Sequence, residues 1–142
     1  MKPSSQKRYI PPLKFHSLTP IYDYLVKWLT KERQVKELLV KEISVKSGET
    51  ILDVGCGDGQ ISELIAGGVT GSTIEGIDVM ERSISSIKVS KYDGYNFPFE
   101  DNSFDTCVFV DVLHHADDAA KVLSEAARVT KKHIVIKDHL TD

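Results

Sequence analysis

Ile51-Leu52-Asp53-Val54-Gly55-Cys56-Gly57-Asp58-Gly59-Gln60 runs a short aliphatic stretch into three glycines at alternate positions. Beyond them Ile61, Leu64 and Ile65 share one side of a helix. The passage reads as strand, tight loop, helix. Glycines let the backbone turn sharply and approach a ligand with no Cβ in the way, and a helix start offers unpaired N–H groups to an anion. A dinucleotide fingerprint would place its third glycine at position 60, where this chain has Gln60. By itself the loop also fits a plain tight turn.

Outward from this loop the same rhythm repeats. Thr73 to Val79 is a β-branched run closed by Asp78, which follows Gly55 by twenty-three positions. That is close to the roughly twenty residues at which an acidic side chain meets ribose hydroxyls in nucleotide-binding α/β domains. Ser86–Val89, Phe104–Val112 and His133–Lys137 read as further strands, and Val122, Leu123, Ala126 and Val129 as a helix between the last two. Continuous apolar strands separated by helices predict a parallel, doubly wound α/β sheet covered on both faces. The Met80–Ser86 connection is short, because a crossover with its helix usually takes about 10–12 residues or more.

Upstream, Met1 to Phe15 is polar and broken by Pro3, Pro11 and Pro12, with no apolar core of a signal peptide. Ile21, Tyr24, Leu25, Trp28 and Leu29, then Val35, Leu38, Leu39 and Ile43, recur at helical spacing. They predict one or two helices between Pro20 and Val45, started by Thr19-Pro20 and ended near Ser47-Gly48. With 142 residues, 41% of them hydrophobic, the chain is expected to build one compact body: a helical arm and lid over residues 1–46 and a Rossmann-like domain over residues 47–142.

The net charge of -3 is unevenly spread, with Met1–Lys46 at +6 and Ser47–Asp142 at -9. A basic arm beside an acidic body suits an anionic partner, or folds back on its own domain. No apolar run is long enough for a membrane span. Cys56 and Cys107 match neither a disulfide framework nor a zinc spacing, which predicts reduced thiols and a cytoplasmic protein.

The glycine-loop segment resembles the first motif of class I S-adenosylmethionine (SAM)-dependent methyltransferases, and Ile77-Asp78-Val79 resembles their second-strand acidic motif. Tyr92-Asp93-Gly94 with Phe97-Pro98-Phe99-Glu100-Asp101-Asn102-Ser103-Phe104-Asp105 is similar to the adenine-side loop and the entry to strand four. Val110-Asp111-Val112-Leu113-His114-His115 is similar to the segment after strand four. The likeness runs from about Glu49 to the end of the chain. It implies a mainly parallel five-stranded sheet of order 3-2-1-4-5 and a SAM-dependent methyltransferase of the small-molecule type, acting on a small or lipid-like acceptor and releasing S-adenosylhomocysteine.

By the same resemblance Gly55, Cys56, Gly57 and Gly59 line the methionine moiety, with Asp53 near its amino group and Asp111 near the sulfonium. Asp78 takes the ribose hydroxyls, Asp93 and Gly94 the adenine edge, and Val79 and Met80 form its apolar wall. Plainer readings stand beside these: Asp78 as a helix cap and Asp93 as a turn former. Asp111, His114 and His115 are candidates for a general base, although displacement at a sulfonium methyl needs alignment and a dry site more than a base. Adjacent histidines with no second ligand pair argue against a metal site.

The family's sheet ordinarily continues into an antiparallel hairpin, whereas this sequence stops at Lys137-Asp138-His139 and beyond it only Leu140, Thr141 and Asp142. Strand five, His133–Ile136, is then an open edge, which predicts a homodimer, a partner protein there or a truncated C-terminus. Three other functions compete: a SAM-binding module without turnover, serving as sensor or subunit; a nicotinamide-dependent oxidoreductase; and a nucleic-acid methyltransferase. The glycine spacing argues against the second. The lack of an Asn-Pro-Pro-Tyr-like motif and of aromatic-basic interleaving argues against the third.

Overall fold

A computed structural model describes residues 32–80 and 86–138. The chain divides into two compact units, residues 1–35 and 36–142. Of the first, only the opening of helix α1 (Glu32–Glu42) falls among the described residues. The expected helix start at Thr19-Pro20, the apolar positions from Ile21 to Leu29 and most of the Met80–Ser86 connection lie outside them.

The second unit follows the expected order: β1 (Thr50–Val54), α2 (Gln60–Gly68), β2 (Thr73–Asp78), β3 (Lys88–Lys91), β4 (Phe104–Val110), α3 (Ala119–Val129) and β5 (Thr130–Lys137). The strands pair in parallel in the order β3-β2-β1-β4-β5, as the resemblance implied. Central strands β1 and β4 are buried along almost their whole length. Parallel strands covered on both faces show such continuous aliphatic runs.

Side chains alternate between the two faces with the strand period of two. Leu52, Val54, Cys107 and Phe109 pack with Val122, Ala126 and Val129 of α3. Ile51 and Val108 point the other way, onto Ile65 of α2 and Ile43 just beyond α1. Asp53 falls on the α2 face by the same alternation, and there it meets Ser62.

Four local departures from expectation have physical reasons. Strand β3 begins two residues later than Ser86; as a four-residue edge strand, exposed at both ends, it has no buried face to announce it. Strand β4 stops at Val110 because Asp111 takes a left-handed φ of +54°, which ends an extended run. Strand β5 begins at Thr130, directly after α3, and its leading Thr130-Lys131-Lys132 carries no apolar signal. Leu38, expected on the packed side of its helix, is 61% exposed.

At the amino-terminal edge of the sheet, buried Glu49 accepts the Lys46 N–H and the Thr106 hydroxyl, while Asp105 accepts the Thr50 N–H at 3.0 Å. Lys132 lies against both carboxylates. These ties leave the opposite, carboxyl-terminal edge for the loops that follow each strand. In an open α/β sheet ligands bind at that edge, where the strand order reverses between β1 and β4.

Candidate cofactor site

Each of the first two glycines after β1 has a different job. Gly55 has φ of +68°, and a Cβ there would sit 2.6 Å from both methyl groups of Val112. The segment just past β4 is thus packed directly on the loop. Gly57 has φ of +57°, and a Cβ there would meet nothing within 4 Å. Its open side is where a ligand can lie against bare backbone. Gly59 caps α2, whose first turn points its N–H groups at the same edge.

The loop is pinned to β2. Gly55 N–H and Cys56 N–H both donate to the Ile77 carbonyl, at 2.7 and 3.2 Å. Gly57 N–H donates to Asp78 Oδ2 at 2.8 Å, and Met80 N–H to Asp78 Oδ1 at 2.9 Å. A carboxylate offers about four lone-pair sites. Asp78 therefore fixes the loop and keeps acceptor capacity on both oxygens for a diol.

Cys56 turns inward onto β2, where a Cβ on Gly76 would lie 2.5 Å from its sulfur. Burial, reinforced by the Asp53 and Asp78 carboxylates, pushes the Cys56 thiol up to about 12. Burial does the same to Cys107, also to about 12. Neither is a thiolate nucleophile near neutral pH, and both are free cysteines.

Asp53 lies under the loop at 2% exposure, and the Ser62 hydroxyl donates to its Oδ2. Burial raises its carboxyl to about 7 against the opposing Ser62 bond, with Asp78 adding a smaller push upward. Such a group answers to any cation brought close to it. Asp93, by contrast, is exposed and accepts the Tyr95 and Asn96 N–H groups at 2.8 and 2.7 Å and the Asn96 side-chain amide at 2.7 Å. The Asn96 bonds hold its carboxyl below the usual range. Gly94, with φ of +88°, sits against Val79, which brings the third-strand loop onto the end of β2.

After β4, Asp111 accepts Lys137 Nζ on both oxygens, at 2.6 and 2.7 Å. Val112 is the side chain on Gly55, and Leu113–His115 form one 3-10 turn. The ring of His114 meets Asp138 through Nδ1, and its backbone N–H donates to the same carboxylate at 3.2 Å. The His115 ring lies 3.9 Å from that of His114. Asp118 caps α3 by accepting the Lys121 N–H at 2.9 Å, while Asp117 instead accepts the Tyr95 hydroxyl at 3.0 Å.

Sequence reasoning named Asp53, Gly55, Cys56, Gly57, Gly59, Asp78, Val79, Met80, Gly94 and Asp111. All of them stand at or directly beneath the carboxyl-terminal edge, and Asp93 lies in the loop beside Gly94. It missed Val112, Lys137 and Asp138. It also missed Arg128, which donates to the Phe97 and Phe99 carbonyls and, with Glu125, clamps the loop entering β4.

A parallel 3-2-1-4-5 sheet with an acid-pinned glycine loop at its reversal point defines a Rossmann-like domain of the class I methyltransferase type. Residues 52–135 match the family described as Methyltransferase domain, and the chain belongs to that family. It is 32% identical over 134 residues to 2-phytyl-1,4-naphtoquinone methyltransferase of Nostoc punctiforme, covering 82% of this chain and 58% of that protein. It is 34% identical over 131 residues to demethylmenaquinone methyltransferase of Staphylococcus saprophyticus, covering 82% and 56%. A solved SAM-dependent methyltransferase from Aquifex aeolicus superposes with a TM-score of 0.60 at 26% identity, over 72% of this chain and 63% of that one. The chain thus spans a little over half the length of the curated relatives it matches.

Proposed function

We propose that this chain is a methyltransferase that binds SAM at the carboxyl-terminal edge of β1 and β2 and methylates a small, ring-hydroxylated acceptor of the naphthohydroquinone class. The observation that carries the cofactor assignment is Gly57, whose open face lies beside a carboxylate, Asp78, already locked to its N–H. The quinone methyltransferases among its relatives support the acceptor class.

Bound there, SAM supplies an electrophilic methyl group on a sulfonium. Asp78 receives the ribose hydroxyls on its remaining lone pairs, and Gly55 to Gly59 line the methionine end through backbone. Asp53 faces the α-ammonium, which its buried carboxylate would neutralise. Val79 and Met80 wall the adenine, with Asp93 and Gly94 at its edge. Asp111, His114 and His115 stand past β4 as the candidate bases. The chain's main contribution is to align acceptor and methyl in a site with little water.

The same reading treats residues 1–46 as an arm and residues 47–142 as the cofactor domain. It includes a second copy or a partner protein against β5, whose Ile134 and Ile136 are 38% and 47% exposed. A cytoplasmic setting is part of it, supported by the two free buried thiols. Among the described residues no helix is long and apolar enough to cross a membrane.

Incubation with SAM carrying a labelled methyl group and 1,4-naphthohydroquinone under reducing conditions tests the activity. Label recovered in the extracted acceptor is the expected result. Bound SAM with no label transferred to this or to other hydroxylated ring acceptors would favour a binding module without turnover.

A further inference from the structure

Asp111, the first residue past β4, holds an uncommon backbone conformation. Among the described residues three that are not glycine have a left-handed φ: Ser44, Asn102 and Asp111. Ser44 precedes β1 and Asn102 precedes β4, whereas Asp111, with φ of +54°, stands at the carboxyl-terminal edge beside the glycine loop. The left-handed region disfavours an L-residue by a factor of about 5–30, and aspartate is one of the few that visits it. Such a conformation persists where its neighbours hold it, and it gathers at functional sites.

Lys137 supplies the hold. It lies in β5 opposite Val110 of β4. Its carbonyl accepts the Asp111 N–H at 2.8 Å, and its ammonium donates to both Asp111 carboxylate oxygens at 2.6 and 2.7 Å. One residue thus grips main chain and side chain together, which fixes the direction in which the chain leaves β4. That direction decides where Val112 goes. Both of its methyl groups lie 2.6 Å from the place of a Gly55 Cβ, and its other contacts are with the core on the α3 face. On its far side Gly55 is tied by its N–H to the Ile77 carbonyl. A rotation of the Asp111 backbone would lift Val112 away and leave the glycine loop held from β2 alone.

We propose that Lys137 is a positioning residue of the cofactor site, an assignment that rests on the methyltransferase reading above. It acts through Asp111: the three contacts keep Asp111 left-handed, Asp111 sets Val112 on Gly55, and Val112 keeps the loop in the shape that receives SAM. Without the ammonium, residue 111 divides its time between the left-handed form and others. The affinity for SAM then falls with the fraction of molecules that stays competent.

The test uses the full chain with K137M, D111A, D111G and the K137M/D111G pair. Calorimetry reads SAM affinity, and nuclear magnetic resonance of labelled methyl groups reads the contact of Val112 with the Gly55 α-hydrogens without SAM. D111A and D111G lose the same carboxylate and differ in the cost of a left-handed φ, which glycine escapes. D111A is therefore expected to bind SAM about 5–30-fold more weakly than D111G and to show the weaker Val112 contact. K137M is expected to weaken binding about 3–30-fold in the parent and less than about twofold when added to D111G. Equal affinities in D111A and D111G, or an undiminished effect of K137M in the D111G background, overturn the assignment. So does a K137M variant that loses stability yet keeps its SAM affinity and the Val112 contact. Should K137M fail to fold, the comparison of D111A with D111G decides alone. Failure of the folded parent chain to bind SAM overturns the functional reading instead, and the Val112 contact still reports on the tie.

Discussion

Replacing Gly55 by alanine tests how the glycine loop is built. The new methyl would stand 2.6 Å from two carbons of Val112 in a backbone with φ of +68°. A left-handed conformation costs an L-residue about 1–2 kcal/mol. Forcing a methyl into a packed contact costs about 1–3 kcal/mol. Together G55A should lose about 2–5 kcal/mol, a large part of the roughly 5–15 kcal/mol that holds a domain folded. Urea titration of the parent, G55A, V112A and the double variant separates the two causes. In the V112A background both 2.6 Å methyl contacts are gone and the nearest of the three side-chain contacts is the Cβ of position 112, at 3.2 Å, so adding G55A there should cost little beyond the backbone share, about 1–2 kcal/mol. A G55A variant within about 0.5 kcal/mol of the parent, or an equal loss in both backgrounds, would refute the packing argument.

Asp53 makes stability and cofactor binding depend on pH. Its folded carboxyl titrates at about 7 against 3.8 for the free side chain, because burial disfavours the charge. Its contribution to stability is therefore complete below about pH 4 and is lost as pH rises through about 7; D53N should flatten that slope in urea titrations across this range. An ammonium brought beside it requires the ionised form, so SAM affinity should rise with pH toward 7 in the parent and change less in D53N. Arg128→Ala should cost about 1–3 kcal/mol by freeing the Phe97 and Phe99 carbonyls and the Glu125 carboxylate, with the loss read by denaturation. Cys56 and Cys107 should resist alkylation at neutral pH in the native chain and react once unfolded, as mass spectrometry would show.

The parallel strands and the glycine loop were legible in the sequence because both rest on local signals, whereas the strand order came from the family resemblance. Buried parallel strands read as near-continuous apolar runs, as at Ile51–Val54, interrupted only by Asp53, and at Cys107–Val110, and a sharp turn needs glycines where Gly55 and Gly57 stand. Two strand starts were not legible, since β3 is a short edge and β5 opens on Thr130-Lys131-Lys132. The site's polar ties were hidden for a different reason: Lys137 with Asp111 and Asp138 with His114 join residues 26 and 24 positions apart. No periodicity carries such pairs. They follow only once β4 and β5 are known to be neighbours in parallel, for then the residues just past each strand end must meet. Val112 was hidden by its type, because an aliphatic residue after a strand looks like core until the glycine it covers is seen.

The central claim is that the loop from Gly55 to Gly59 and Asp78 together hold SAM. Calorimetric titration of the folded chain and of D78A with SAM and with S-adenosylhomocysteine tests it most directly. The account predicts saturable binding of both by the parent and at least about a tenfold weaker affinity in D78A, equivalent to about 1.4 kcal/mol. Absence of binding by a folded parent chain, or equal affinity in D78A, would contradict it.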